Sequence, residues 1–202
     1  MKKVLHDTVT VVKENQMQGV DKIQEESAKV TKLTDKITDY LAGLFSSGLL
    51  TEQQASQTAG LMYVLGDVER IGNLSAGIAL SMKEKETNQY KYSQEAMDEL
   101  AKCLKTLEKM FDSATKALRG DTTVELEKLM KRKDKIVNLD IMMRKSHIQR
   151  VNKGKCKASL TTPFTNILHL IDRMGNSCIN LADAATNEVA LKYFLPKDEM
   201  TM

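Results

Sequence analysis

Two stretches of the chain place an acid and an amide one helical turn apart. Asp67-Val68-Glu69-Arg70-Ile71-Gly72-Asn73 is echoed by Ile171-Asp172-Arg173-Met174-Gly175-Asn176, and both read acid-Arg-apolar-Gly-Asn. Glu69 precedes Asn73, and Asp172 precedes Asn176, by the spacing of neighbours on one helix face. Oxygen ligands so placed can hold a hard cation or accept charged hydrogen bonds. Gly72 and Gly175 leave room for another backbone to come close.

Elements that carry the same motif twice should themselves repeat. Gly72 and Gly175 are 175 − 72 = 103 positions apart. Leu61, Val64, Leu65, Val68, Ile71, Ser75, Ile78, Ala79 and Met82 map at that offset onto Phe164, Ile167, Leu168, Ile171, Met174, Cys178, Leu181, Ala182 and Ala185. Every pair stays apolar or small, at the i, i+3, i+4, i+7 spacing of a helix stripe facing a core. The chain therefore reads as two copies of one unit.

Each unit reads as three helices. The first has a short helix over 4–17 ending at Gly19, a second through Ile23, Leu33, Ile37, Tyr40 and Leu44, and a third from about 51 to 86. Thr51-Glu52-Gln53-Gln54 offers a capping box at the start of that third helix. Thr87-Asn88-Gln89 is a polar break. The second unit has helices over 91–119, 122–152 and 160–187, with Gly120 as the counterpart of Gly19 and Pro163 fitting a first turn. The expected architecture is all-α: two tandem antiparallel three-helix bundles, 1–87 and 88–187, with a short helical extension and tail over 188–202. The first helix is short beside its partner at 91–119, the pattern of a first helix truncated from a longer protein.

Composition excludes several classes of function. There is no Trp and there are only two Pro among 202 residues, so helix breakers are scarce. No apolar run reaches membrane-spanning length, and the N-terminus lacks a signal-peptide pattern. Cys103, Cys156 and Cys178 are an odd number without metal-ligand spacing, which predicts reduced thiols in the cytosol. His6, His147 and His169 lack the Glu-x-x-His spacing of a di-iron site, and no nucleophile and base stand at a recognisable spacing. His169, between Leu168 and Leu170, reads as a packed helix residue, and Met142-Met143 as core filling. The chain is expected not to be an enzyme and to need no cofactor.

One charge run stands out. Residues 128–157 hold eleven Lys/Arg against Asp134 and Asp140, a net of 11 − 2 = +9, so the rest of the chain carries 3 − 9 = −6. Lys131, Arg132, Lys133, Lys135, Arg144, Lys145 and Arg150 form a candidate docking face for an anionic membrane surface or a transporter loop. A solvated helix face is the plain alternative. Nucleic acid is not expected, since aromatics are only 4% and no reading motif is present.

These residues resemble a known family. Asp67 to Asn73 is similar to the Glu-Arg-Ile-Gly-Asp signature of the PhoU family, and Asp172 to Asn176 to its second copy. Val30-Thr31-Lys32-Leu33-Thr34-Asp35-Lys36-Ile37-Thr38-Asp39-Tyr40-Leu41 and Ser146-His147-Ile148-Gln149-Arg150-Val151-Asn152-Lys153-Gly154-Lys155-Cys156 resemble segments of the PhoU-like domain behind bacterial sodium/phosphate cotransporters. The resemblance implies two three-helix bundles and a cytoplasmic role in controlling phosphate uptake, at the inner face of the cell membrane. It implies as partner the membrane transporter domain of the same polypeptide, with a homodimer also open. A stand-alone adaptor between a transporter and a sensor kinase is the alternative.

Some members of that family hold metal clusters through acid-x-x-x-Asp pairs on the second and third helices. The family's second acid is Asn here in both copies, Asn73 and Asn176, and the second-helix positions read Ser27/Thr31 and Lys133/Val137. No metal is expected, because neutral ligands leave cation charge uncompensated. Two readings of Asp67, Glu69, Arg70, Gly72, Asn73, Asp172, Arg173, Gly175 and Asn176 stay open. They form ion pairs and close helix contacts, or they mark faces through which the domain senses and transmits a signal.

Overall fold

The computed structural model describes residues 1–15, 17–87, 92–121 and 124–186. Six α-helices follow one another: α1 (Lys2–Glu14), α2 (Val20–Ser46), α3 (Glu52–Thr87), α4 (Gln94–Leu118), α5 (Leu126–Asn152) and α6 (Thr161–Thr186). The expected break at 88–89, the starts at 91 and 122, and the tail over 188–202 lie outside the described residues.

Helix ends follow local chemistry. Thr51 and Gln54 form the reciprocal capping box, with Gln54 Oε1 accepting from the Thr51 amide at 2.9 Å and Thr51 Oγ1 from the Gln54 amide at 3.3 Å. Ser93 caps α4 in the same sense, its side chain accepting from the Ala96 amide at 3.2 Å. The stop of α1 differs from expectation. The helix ends at Asn15, whose φ of 54° is left-handed, well before Gly19. Gly19 serves close packing instead: a Cβ there would stand 2.8 Å from Val11 Cγ2.

α1, α3, α6 and α4 form a ring in which each helix packs on the next, with α2 laid outside against α3 and α5 outside against α4 and α6. The ring is antiparallel at both seams between the units. Lys2 pairs with Asp112 and His6 with Glu108 across α1 and α4. Across α3 and α6, Asn180 donates to Asp67 at 3.4 Å, and a Cβ on Gly77 would touch Leu170 Cδ1 at 3.4 Å. Those two contacts exchange under the internal repeat, since 67 + 103 = 170 and 77 + 103 = 180. The units are thus related by a pseudo-twofold whose axis passes between α3 and α6.

The repeated apolar stripe fills the ring. Ile71, Ile78, Ala79, Met82, Phe164, Ile167, Ile171, Met174, Cys178 and Leu181 are buried in one continuous cluster with Leu5, Val12, Leu104 and Met110 from the other helices. Burying each large member stabilises the fold by about 1.5–3 kcal/mol. The two copies are not equally covered. α1 has 13 residues where α4 has 25. Leu61, Leu65 and Val68 are accordingly half-buried, while Phe164, Leu168 and Ile171 are buried. On α2, Leu33, Ile37 and Tyr40, expected on a core stripe, are exposed, Tyr40 to 66%. The corresponding end of α5 keeps Met143 and Arg150 buried.

A shared core predicts shared unfolding. Leu104→Ala should lower stability by about 2–5 kcal/mol and shift a single urea transition. Two separated transitions in circular dichroism would show that the units fold independently.

Candidate functional site

The sites grow out of how α2 crosses α3 and α5 crosses α6. The Ser27 and Lys133 side chains occupy equivalent places: a Cβ on Gly72 would stand 3.3 Å from Ser27 Oγ, and one on Gly175 would stand 3.0 Å from Lys133 Cδ. Both glycines admit a side chain from the second helix, not the backbone that their sequence context suggested.

In the first unit the expected acid–amide neighbours do meet. Asn73 Nδ2 donates to Glu69 Oε1 at 3.4 Å, while Asn73 Oδ1 accepts from Ser27 Oγ and Thr31 Oγ1, each at 3.4 Å. Asn73 therefore ties α3 to α2 through two long, neutral hydrogen bonds, while the bond to Glu69 stays within α3 and orients the amide. Asp67 stands apart from this group. It is 4% exposed and turned toward α6, where Asn180 is its donor. There its charge adds to burial in pushing the Cys178 thiol far up.

In the second unit an ammonium replaces the hydroxyls. Lys133 Nζ pairs with Asp172 Oδ1 and also donates to the Asp172 carbonyl at 3.3 Å, with its side chain only 15% exposed. Its aliphatic stem lies across Gly175, which has no Cβ to obstruct it. Asp172 thus pairs with Lys133 and not with its neighbour Arg173, and Glu69 accepts from Asn73. Arg70 and Arg173 are exposed.

These donor sets do not fit a metal cluster. The first unit offers one carboxylate, one amide and two hydroxyls. The second offers a carboxylate whose charge the Lys133 ammonium already balances, beside an amide and Val137. Multinuclear sites of hard or borderline cations require several anionic oxygens. Among the described residues no three His, Cys, Asp or Glu side chains converge.

The basic run is divided by its helix. Arg150 is buried, and Arg132, Lys133 and Arg144 are half-buried, with Arg132 donating to Ser113 Oγ at 2.8 Å and Arg144 paired to Asp140. Lys131, Lys135 and Lys145 are exposed and share one stripe of α5. The seven residues are therefore not one face. The first of the two methionines, Met142, is exposed at 61%, and only Met143 is core. His169 is exposed as well, since the core-facing positions beside it are 168 and 171.

The histidine that matters structurally is His147, which spacing alone did not single out. It is 3% exposed, stacked on Phe164 with ring centroids 5.2 Å apart, and its Nε2 lies 2.9 Å from Thr161 Oγ1. Its Nδ1 lies 3.8 Å from Cys156 Sγ. A nucleophile and a base are thus neighbours, contrary to the sequence reading. A tight chain reversal brings them together: the Arg150 carbonyl accepts from the Lys155 amide at 2.8 Å and the Cys156 amide at 3.2 Å, around Gly154 at φ 67°. The Ser146–Cys156 segment was legible as a unit; its convergence was not.

Residues 100–185 match the PhoU domain family. The matched span takes in most of α4, all of α5 and nearly all of α6, including the Asp172–Asn176 motif, and it supports the PhoU family for this three-helix unit. The first unit lies outside the matched span and is related to the second by the internal repeat and the pseudo-twofold. Searches of curated proteins and of solved structures found no match. Among the described residues, no helix is long and apolar enough to cross a membrane.

Two predictions test the site. Lys133→Met and Asp172→Asn should show a coupling of about 1 kcal/mol in a double-mutant cycle; additive effects in urea denaturation would mean that the pair contributes nothing. Burial first, then the Arg150 charge, lowers the His147 pKa from 6.5. The unfolded chain takes up that proton more readily, so the stabilisation is fully present above about pH 6.5 and is lost as pH falls through the folded value. Urea midpoints between pH 7.5 and 5 should fall less for His147→Gln than for the parent.

Proposed function

We propose that this chain is a non-enzymatic regulatory domain of phosphate uptake, working as the PhoU-like domain behind a bacterial sodium-dependent phosphate cotransporter. The observation that carries the proposal is the PhoU match at 100–185 together with the second, symmetry-related copy of its motif. The cotransporter setting is supported by the likeness of Val30–Leu41 and Ser146–Cys156 to segments of those proteins. In this setting the domain is cytoplasmic, and Lys131, Lys135 and Lys145 would face the anionic inner leaflet, at about 1 kcal/mol per residue.

The transporter contact is assigned to the uncovered stripe of α2. Leu33, Ile37 and Tyr40 are exposed on one stripe of that helix. Apolar surface left open in this way favours a partner that covers it. The ties at the two motif copies, Asn73 with Ser27 and Thr31 and Asp172 with Lys133, would then hold each second helix in place while the contact is made.

The test is labelled-phosphate uptake in bacteria carrying the full transporter, comparing the parent with a Leu33→Asp/Tyr40→Asp variant. Altered uptake with unchanged circular dichroism, and loss of cross-linking to the transporter, is the expected result. Unchanged uptake and unchanged cross-linking would overturn the assignment. Cross-linking to a sensor kinase in place of the transporter would establish the stand-alone adaptor.

A further inference from the structure

The His147–Cys156 neighbourhood takes no part in the packing ties described above. Of the three thiols, Cys103 and Cys178 are buried on the core stripe, whereas Cys156 is half-buried at the turn between α5 and α6. Burial pushes the Cys103 thiol up to about 12 and the Cys178 thiol higher still, so neither supplies thiolate at neutral pH.

Cys156 has a different setting. Its Sγ has two polar contacts, His147 Nδ1 and the Lys157 carbonyl, each at 3.8 Å. With His147 in the tautomer whose Nε2–H donates to Thr161 Oγ1, the Nδ1 lone pair faces the thiol. The imidazole is held neutral by burial and by the nearby Arg150 charge, and neutral is the form that accepts a proton. Arg150 itself is 7% exposed: Nη1 donates to Ser146 Oγ at 2.6 Å, and Nη2 is buried with no hydrogen-bond partner among the described residues. Lys153, Lys155 and Lys157 are exposed on the same turn. The thiol is therefore partly accessible, beside an oriented base, in a locally cationic surface. That combination distinguishes reactive cysteines from structural ones.

We propose that Cys156 is a covalent modification site for anionic low-molecular-weight disulfides, with His147 as its proton acceptor. The thiol proton passes to His147 Nδ1 as Sγ attacks one sulfur of the reagent. A new S–S bond forms at Cys156 while the reagent's own S–S bond breaks. The leaving sulfur takes the electron pair, and it recovers the proton from His147 as a free thiol. The Cys156 sulfur is oxidised, the departing one is reduced, and a second thiol reverses the exchange. The lysines and Arg150 select for negative charge on the reagent. The adduct displaces Sγ from His147 and loosens the turn that joins α5 to α6, which gives the second unit a reversible chemical input.

The experiment is reaction of the folded full chain with 5,5′-dithiobis(2-nitrobenzoate), a dianionic disulfide, alongside an unstructured peptide of residues 153–159. One thiol per chain should react, at least about five-fold faster than the peptide, because the base is prepositioned. Cys156→Ser should remove that reaction and leave the remaining thiols silent until urea is added. His147→Gln should bring the rate down to that of the peptide. Should that variant fail to fold by circular dichroism, Thr161→Val, which frees the imidazole from its anchor while keeping both reacting side chains, must slow the reaction. Cystamine, a dicationic disulfide, should react more slowly than the dianion by a larger ratio in the folded chain than in the peptide. A rate equal to the peptide's, or one that neither His147→Gln nor Thr161→Val changes, overturns the proposal.

Discussion

The antiparallel contact between α3 and α6 is the interaction on which the rest depends. Both helices bury their repeated stripe against each other and against the first helices of the units, so neither three-helix unit closes its apolar surface alone. Asp67 with Asn180, and Gly77 with Leu170, sit at symmetry-related places along that seam. A polar pair at one place and a glycine–leucine pair at the other show that the shape of the seam is conserved between the halves while its chemistry is not. Buried polar pairs of this kind are tolerated because each partner satisfies the other.

The same divergence explains the motif sites. Each glycine of the doubled motif opens a slot that a second-helix side chain fills. In the first unit the filler is a serine and the tie is a set of long neutral hydrogen bonds through Asn73. In the second it is a lysine, and the tie is an ion pair to Asp172. A fixed ammonium and a cation-binding carboxylate cluster exclude one another, because the lysine uses both the space and the negative charge. The second unit's site supplies a cation of its own, the Lys133 ammonium, and leaves no uncompensated carboxylate for another.

The turn after α5 shows how backbone chemistry creates a side-chain site. Gly154 permits the left-handed step, the Arg150 carbonyl gathers two amides, and Cys156 is folded back against the helix it has just left. His147 is fixed from the opposite side by Thr161 and Phe164 at the start of α6. The arrangement therefore exists only where α5 and α6 meet.

Periodicity by itself determined the six helices, their approximate bounds, the all-α class and the repeat, because a helix with one face in a core must space its apolar residues at three and four. It also located both motif copies, since a one-turn spacing survives into the structure unchanged, as Glu69 and Asn73 show. Tertiary structure decided which partner each side chain takes. Asp172 chose Lys133 over Arg173, Asp67 left its own motif for α6, and four of the seven basic residues of α5 turned out to be buried or half-buried. It also decided which apolar residues are covered, for Leu33 and Tyr40 fit a helix stripe yet have no described helix opposite them. Spacing along one helix fixes a direction, but a contact requires a second helix at a known distance and rotation, and only the packed ring of α1, α3, α6 and α4 supplies that.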